Sequence, residues 1–147
     1  MYKHILVPTD GSKLSDKAVK TAASAARLMG ARLTLFYVAP GYPVPMYAEA
    51  ALLAYVPPEQ FKKDSEAYAE KILAAAAKRA AVGGVDVRVA HATSDSASSA
   101  IIKAATRLKC DLIVMASHGR RGLAGVLLGS ETQKVLTHSK LPVLVVR

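Results

Sequence analysis

Short apolar segments alternate with longer amphipathic segments along the whole chain, and this pattern predicts strands separated by helices. The apolar segments lie at 4–7, 32–38, 85–89, 112–116 and 143–146, and they consist mainly of β-branched, aromatic or aliphatic residues. In the third segment, valines alternate with Asp86 and Arg88, which favours an edge strand with one exposed face. The fourth and fifth segments are apolar throughout, so we expect both of their faces to be covered.

Apolar residues recur at helical spacing in three intervening segments, which begin at Leu14, Phe61 and Ala97. Residues typical of helix ends flank these segments. The expected start signals are Ser12 or Ser15, Pro58 and Asp95, and the expected exit signals are Gly30 and Gly83. Helices that connect consecutive strands imply parallel pairing through right-handed crossovers. We therefore predict one α/β domain, residues 1–147, with an open five-stranded parallel sheet and helices on both faces.

The composition suits a globular domain, since 52% of the 147 residues are hydrophobic and 21% are charged. The longest apolar runs fall far short of the ~20 residues that cross a bilayer. Pro8 and Asp10 interrupt the first apolar run before a signal-peptide core could form, so we expect a cytoplasmic protein without a membrane span. The single cysteine, Cys110, excludes an internal disulfide, and we expect it to be buried and inert.

The chain is basic, with 20 Lys and Arg residues against 11 Asp and Glu residues, a formal charge of +9 and a pI near 9.8. Such a charge raises the question of an anionic partner. However, the basic residues are mixed with acidic ones along the chain, and their longest run is Arg120-Arg121. Surfaces that bind nucleic acid combine a basic stripe with exposed aromatic side chains, whereas this chain has no Trp. The charge therefore fits solvated helix faces better than nucleic-acid binding.

Polar residues directly follow the first predicted strand, in Pro8-Thr9-Asp10-Gly11-Ser12. In an open parallel sheet, ligands bind at the carboxyl ends of the strands, near the point where the strand order reverses. A carboxylate of Asp10 at this position would suit a ribose or an ammonium group. The alternative is that Asp10 only caps the turn before the first helix, as Asp commonly does.

A glycine-rich loop follows the fourth predicted strand, from Ser117 to Gly129, with glycines at 119, 122, 125 and 129. The segment Ser130 to Gln133 has the Ser-x-x-Gln spacing of a capping box, which predicts a helix that Ser130 caps. Amides of the loop and first turn, the helix dipole and the Ser130 hydroxyl would together hold a phosphate. The alternative is an ordinary glycine-rich loop. His118 could contact that phosphate, although a solvated or backbone-bonded histidine is favoured.

Other nucleotide and hydrolase motifs do not match this loop. The P-loop pattern Gly-x-x-x-x-Gly-Lys-Ser/Thr is absent, and Gly-x-x-Gly-x-x-Gly stands in place of the dinucleotide pattern Gly-x-Gly-x-x-Gly. An esterase elbow around Ser117 would need a glycine where Met115 stands. The four histidines show no metal-ligand spacing.

Four segments make the chain resemble the universal stress protein family over essentially its whole length. They are residues 5–12 (ILVPTDGS), 111–119 (DLIVMASHG), 127–130 (LLGS) and 142–146 (PVLVV). Members of that family that bind ATP carry Gly-x-x-Gly, nine residues, and then Gly-Ser or Gly-Thr. Here Ala116 replaces the first glycine, Gly119 is the second, and Gly129-Ser130 complete the motif after residues 120–128. The resemblance implies a Rossmann-like fold of the adenine nucleotide alpha hydrolase-like type, with strand order 3-2-1-4-5.

The resemblance also implies an ATP ligand, with or without Mg²⁺, and a set of residues around it. The implied contacts are Pro8, Thr9 and Asp10 to the adenosine, the Val38 backbone to the adenine edge, Met115 against the nucleoside, and Gly119, Gly129, Ser130 and the Glu131 amide to the phosphates. Ala116, Ser117 and His118 complete the implied nucleotide-binding set.

Three functions stay open on this basis: a nucleotide-binding regulatory or sensing protein in the stress response, a slow ATPase or phosphotransferase that uses Asp10 and a bound metal, and an interaction module independent of nucleotide. Binding without catalysis is favoured, because Asp10 is the only acid that maps onto the site with an inward position, and no second carboxylate or lysine is arranged for an attacking water. The segment 40–57 could be a lid, a partner-binding patch or a short helix at 48–55.

The fifth strand would lie at an edge of the sheet in the order 3-2-1-4-5, yet it carries no charge before Arg147. Pairing with the same strand of a second copy about a two-fold axis would satisfy its free amides and carbonyls, and the resemblance implies the same arrangement. We therefore predict a homodimer; the predicted contact residues are Leu141, Pro142, Val143, Leu144, Val145 and Val146. The alternative is that a loop or helix of the same chain covers this strand.

Overall fold

Strands and helices alternate in the computed structural model, which describes residues 1–44, 55–81, 84–119 and 128–147. The strands are β1 (His4–Pro8), β2 (Arg32–Ala39), β3 (Val87–Thr93), β4 (Leu112–Ala116) and β5 (Val143–Val146). The helices are α1 (Lys13–Met29), α2 (Pro58–Ala80), α3 (Ala97–Arg107) and α4 (Ser130–His138). Across these ranges, no helix combines the length and the apolar character needed to cross a membrane.

The strands form one parallel sheet in the order β3-β2-β1-β4-β5, which confirms the predicted fold. β1 pairs with β2 up to Pro8↔Phe36 but with β4 only at Ile5↔Leu112 and Leu6↔Ile113. The order reverses between β1 and β4, so the carboxyl ends of these two strands flank the crevice in which ligands bind in such folds.

Alternate residues of each strand enter two separate cores, one on each face of the sheet. Ile5, Leu33 and Val114 lie in the core beneath α1 and α2. Leu6 and Phe36 lie in the core beneath α3 and α4. Because apolar residues occupy both faces of the inner strands, those strands have continuous apolar sequences.

The ends of α1 and α2 agree with their sequence signals. Ser12 caps α1, since its Oγ accepts the Ser15 N–H at 3.1 Å, and Gly30 ends the helix with a left-handed φ of 64°. Pro58 occupies the first turn of α2. Gly83 lies outside the described residues.

The prediction that Asp95 caps α3 is wrong. Ser96 caps this helix and accepts the Ser99 N–H at 3.4 Å. The Asp95 carboxylate instead accepts the Gly41 N–H at 3.1 Å, which joins the segment after β2 to the segment after β3. Gly41, which is distant in sequence, therefore occupies the Asp95 carboxylate, and the adjacent Ser96 caps the helix instead.

The outer strands differ in part from their predicted form. β3 is an edge strand as expected, although it begins at Val87 and not at Val85. β4 is buried throughout, whereas β5 is not covered on both faces, because Leu144 is 43% exposed. On the face of Leu144, α1 packs on β5 while α2 packs over β2 and β3, so the outer side of β5 extends beyond its helical cover.

Cys110 follows α3 and is buried, as predicted. Burial, together with the charge of Asp111, raises the pKa of its thiol to about 11. The turn before it places Lys109 at a φ of 55°, and the Cys110 N–H donates to the Ala105 carbonyl at 2.8 Å. This is the hydrogen-bonded, left-handed type of helix end that usually carries glycine.

Candidate functional site

The turn after β1 is held by a small network of hydroxyl groups. The Thr9 N–H donates to the Phe36 carbonyl at 2.9 Å and so extends the sheet by one hydrogen bond. The buried Thr9 Oγ1 lies 3.0 Å from Ser15 Oγ and accepts the Gly11 N–H at 3.3 Å. The network fixes the chain direction at the point where it leaves the sheet.

Asp10 uses its two carboxylate oxygens in different directions. Its Oδ1 accepts the Ser12 N–H at 2.9 Å, which is the turn-capping role. Its Oδ2 faces Gly119, where an added Cβ would lie only 2.6 Å from this oxygen. The two interpretations of Asp10 are therefore compatible, because one oxygen caps the turn while the other reaches the end of β4.

Beyond β4, the chain stays close to the start of α4. The Ser117 N–H donates to the Val146 carbonyl at 2.8 Å, and the Ser117 carbonyl accepts the Gly129 N–H at 2.7 Å. A Cβ on Gly129 would lie 3.2 Å from the Cα of His118, a distance that favours glycine at this position. His118 Nδ1 lies 3.2 Å from Ser117 Oγ.

The prediction that Ser130 caps α4 is wrong. Gly129 is the N-cap, with extended φ and ψ of −70° and 155°, and its carbonyl accepts the Gln133 N–H at 3.0 Å. Ser130 is already the first helical residue. Because the N-cap has no side chain, the first-turn amides of α4 receive no cap from it, and the positive end of the helix dipole lies beside Ser117 and His118.

The Glu131 carboxylate accepts two hydrogen bonds, one from a lysine and one from a backbone amide. Its Oε1 accepts from Lys134 Nζ at 2.8 Å and its Oε2 accepts the Ser98 N–H at 2.6 Å. The hydrogen bond from Lys134, followed by that from Ser98, outweighs burial and lowers the pKa of Glu131. This carboxylate therefore ties the first turn of α4 to the first turn of α3.

Val38 and Met115 lie near the carboxyl ends of β2 and β4. The Phe36 carbonyl faces β1, so the backbone of Val38, two residues further along β2, faces the same side just beyond the end of β1. Met115 is 6% exposed and packs in the core beneath α3 and α4. The Val38 backbone thus faces the space beyond the end of β1, while the Met115 side chain is part of the core.

Several predicted site residues come together at the carboxyl ends of β1 and β4, whereas the loop glycines 122 and 125 lie outside the described residues. The residues that approach one another there are Pro8, Thr9, Asp10, Ala116, Ser117, His118, Gly119 and Gly129. Sequence analysis missed Thr132, whose buried hydroxyl donates to the Ala116 carbonyl at 3.1 Å. The sequence carries no signal for this contact, because it depends on how α4 packs against the sheet.

The parallel sheet, its reversal of order and the crevice at that reversal define an open α/β protein of the Rossmann-like class. The chain belongs to the universal stress protein family, whose sequence profile matches residues 1–147.

Individual relatives agree with this assignment. A universal stress protein of Thermus aquaticus is 35% identical over the whole of both chains. The structure of the universal stress protein UspA from Lactobacillus plantarum shares the fold, with a TM-score of 0.82 at 24% identity over 99% of this chain and 98% of that one. A universal stress protein solved in complex with cAMP has a TM-score of 0.73 at 29% identity, over 99% of this chain and 97% of that one.

Proposed function

We propose that this protein binds an adenine nucleotide, ATP, in the crevice between β1 and β4 and acts as a regulatory or sensing module in the stress response. The observation that carries the proposal is the approach of the Asp10 carboxylate to Gly119, at the reversal of strand order. A ribose acceptor and the loop that leads to the α4 amides are thereby adjacent. The relative solved with cAMP supports an adenine nucleotide as the ligand class.

In this proposal, residues 1–147 form a single domain, and three of its elements contact different parts of the nucleotide. The end of β1 holds the ribose through Asp10, and the backbone of Val38 pairs with the adenine edge. The start of α4 holds phosphate through the amides of Ser130 and Glu131 and through the Ser130 hydroxyl, and the helix dipole adds partial positive charge. Gly119 and Gly129 let the backbone approach the phosphates closely.

Ala116 is compatible with this function although ATP-binding relatives carry glycine at the equivalent point. It is a strand residue of β4, and Lys109 is the only non-glycine residue with a positive φ in the described part of the chain. The methyl group of Ala116 packs in the core beneath α1. An alanine therefore requires no backbone strain here, and we expect Ala116→Gly to leave ATP affinity the same or higher.

Asp10 also bears on whether a metal accompanies the nucleotide. Carboxylates and phosphates are the oxygen ligands that Mg²⁺ prefers, so Asp10 could share a magnesium ion with bound phosphates. In the proposal, Mg²⁺ enters with the nucleotide.

A thermal unfolding experiment tests the proposal. ATP at about 100 times its Kd should raise Tm by roughly 5 to 10 °C, because the linkage free energy is then about 2.7 kcal/mol. Gly129→Asp should abolish the shift, since its carboxylate would face phosphate, and Ser130→Ala should weaken binding by only about 1 to 3 kcal/mol. A shift produced equally by tripolyphosphate and GTP would contradict an adenine-specific site, and a larger shift with cAMP than with ATP would change the assigned ligand.

A single-turnover measurement with radiolabelled ATP separates binding from slow hydrolysis. We expect bound ATP to be recovered intact. Turnover that disappears in Asp10→Asn while ATP still binds would assign an ATPase instead.

A further inference from the structure

We propose that Thr132 is the positioning residue of the phosphate-binding turn: its hydroxyl fixes the first turn of α4 to the end of β4 and occupies a carbonyl that otherwise faces the bound phosphates. The proposal rests on the nucleotide-binding function proposed above. It adds a buried residue that contacts no nucleotide itself.

The Thr132 hydroxyl bonds outside its own helix, because Thr132 lies in the first turn of α4 and the residue four positions earlier precedes the helix. Thr106 and Thr137 each donate to the carbonyl four residues earlier in their own helix, at 3.1 and 2.9 Å. Thr132 is 3% exposed and instead donates to the Ala116 carbonyl, 16 residues earlier, at 3.1 Å. Its hydrogen bond therefore links α4 to β4 and adds nothing within the helix.

The direction of the Ala116 carbonyl explains why it needs a donor. The Ser117 N–H belongs to the same peptide group and points to Val146 on β5, so the Ala116 carbonyl points the opposite way, toward β1. Pairing between β1 and β4 lies further back, at Leu6↔Ile113. The carbonyl thus points into the crevice between the two strand ends, where it would repel phosphate oxygens. A donor that takes one of its two lone pairs, as the Thr132 hydroxyl does, weakens this repulsion.

A second hydrogen bond holds the other side of the same turn, where the Gly129 N–H donates to the Ser117 carbonyl at 2.7 Å. Ser130 and Glu131, whose amides we assign to phosphate, lie between these two anchors in sequence. Two fixed points on consecutive residues, the last residue of β4 and the one after it, set the direction of the helix start, which is the pre-organisation that an amide-based phosphate site requires.

Thr132→Val tests this role, because valine keeps the shape and burial of threonine but cannot donate. We expect calorimetric titration to show a loss of about 3- to 10-fold in ATP affinity, the range of one hydrogen bond, and a change of less than about 2-fold for adenosine, which has no phosphate. Thr132→Ser should restore ATP binding. Thr137→Val is the matched control, since it removes a threonine hydrogen bond from the same helix without touching β4, and it should change neither affinity.

Amide hydrogen exchange of the protein without nucleotide provides a second readout. Exchange of the Gly129 and Gln133 amides should be about 10-fold faster in Thr132→Val than in wild type, and Thr132→Ser should restore protection. Exchange that is unchanged in Thr132→Val overturns the anchoring role. Equal losses of ATP and adenosine affinity, or no loss of ATP affinity, overturn the phosphate role. If the wild type binds neither ligand, the proposed function and the phosphate role both fail, while the exchange rates still decide whether Thr132 holds the turn.

Discussion

At the scale of single residues, Gly119 is a position where a neighbouring side chain leaves no room for a Cβ. The Asp10 Oδ2 atom occupies the space into which a Cβ at position 119 would project, at 2.6 Å. The φ of Gly119 is not in the left-handed region that favours glycine, so space and not backbone conformation accounts for the residue.

We expect Gly119→Ala to lower ATP affinity by roughly 10-fold while changing the free energy of unfolding by less than about 1 kcal/mol, because the short Asp10 side chain can rotate away at small cost. Titration calorimetry and urea unfolding measure the two effects. In the Asp10→Ala background the same substitution should have little further effect on affinity. Additive losses in the double variant would contradict a mechanism that acts through Asp10.

Lys109 is the opposite case, because it carries a side chain at a backbone conformation that glycine adopts with less strain. Its φ of 55° strains any residue with a Cβ. Lys109→Gly should therefore stabilise the protein by about 0.5 to 1 kcal/mol, while Lys103→Gly, at an exposed position inside α3, should destabilise it by about 1 kcal/mol. Denaturant unfolding at pH 7 measures both, and a destabilised Lys109→Gly would show that its side chain makes a compensating contact.

At the scale of secondary-structure elements, hydrophobic period and strand composition were sufficient to predict five strands, their parallel pairing and the positions of the helices. Besides the start of β3 and the exposed face of β5, the errors fall at two helix starts, where neighbouring residues compete for the N-cap position. Ser96 caps α3 because the Gly41 amide occupies the Asp95 carboxylate. Gly129 takes the N-cap position of α4 in place of Ser130, and the Ser117 carbonyl, just after β4, holds its N–H. Such outcomes depend on partners distant in the chain, which local pattern cannot supply.

The candidate site could also be predicted only in part from the sequence. The strand ends with Asp10 and Gly119 could be placed from the order of elements and the family motif. The bond from Ser98 to Glu131 spans 33 residues and that from Thr132 to Ala116 spans 16, and both depend on how α4 packs against the sheet. Sequence spacing carries no signal for these contacts.

Asp111 joins two strands at the opposite end of the sheet and yields a pH prediction. Burial alone would raise its pKa, but the His4 and Lys3 amides, which donate at 2.9 and 2.8 Å, lower it overall. A depressed pKa contributes stability that is present above the unfolded-state value near 3.9 and is lost as the pH falls through the folded-state value.

Asp111→Asn should therefore cost about 1 kcal/mol at pH 7, after allowance for solvent screening, and progressively less as the pH falls below about 4. Urea unfolding of both proteins between pH 7 and pH 2.5 measures the difference. A cost that does not depend on pH would contradict an ionic contribution.

At the scale of the whole molecule, β5 leaves half of its backbone groups directed outward. The Pro142 and Val146 carbonyls face β4, so by alternation the amides of Val143 and Val145 face the other side of β5, on which no strand of the described residues pairs. Together with the exposed Leu144, this edge supports our proposal of a homodimer formed by antiparallel pairing of β5 with its copy.

Val145→Pro tests that proposal without disturbing the pairing of β4 with β5, because it removes an amide that points away from β4. We expect light scattering at micromolar concentration to give twice 15.5 kDa for the wild type and 15.5 kDa for the variant. Val145→Thr keeps the amide and should stay dimeric. A wild-type mass of 15.5 kDa would end the proposal.

The buried Cys110 can be used to detect local opening of the structure around it. With a pKa of about 11, almost none of the thiol is thiolate at pH 8, and modification by a disulfide reagent requires the corner between α3 and β4 to open first. Because the sequence contains one cysteine, the colour released measures modification at this corner alone. If ATP must dissociate before that corner opens, ATP at about 100 times its Kd should slow the labelling by about 100-fold, and labelling that is indifferent to ATP would mean that the corner opens while the nucleotide stays bound.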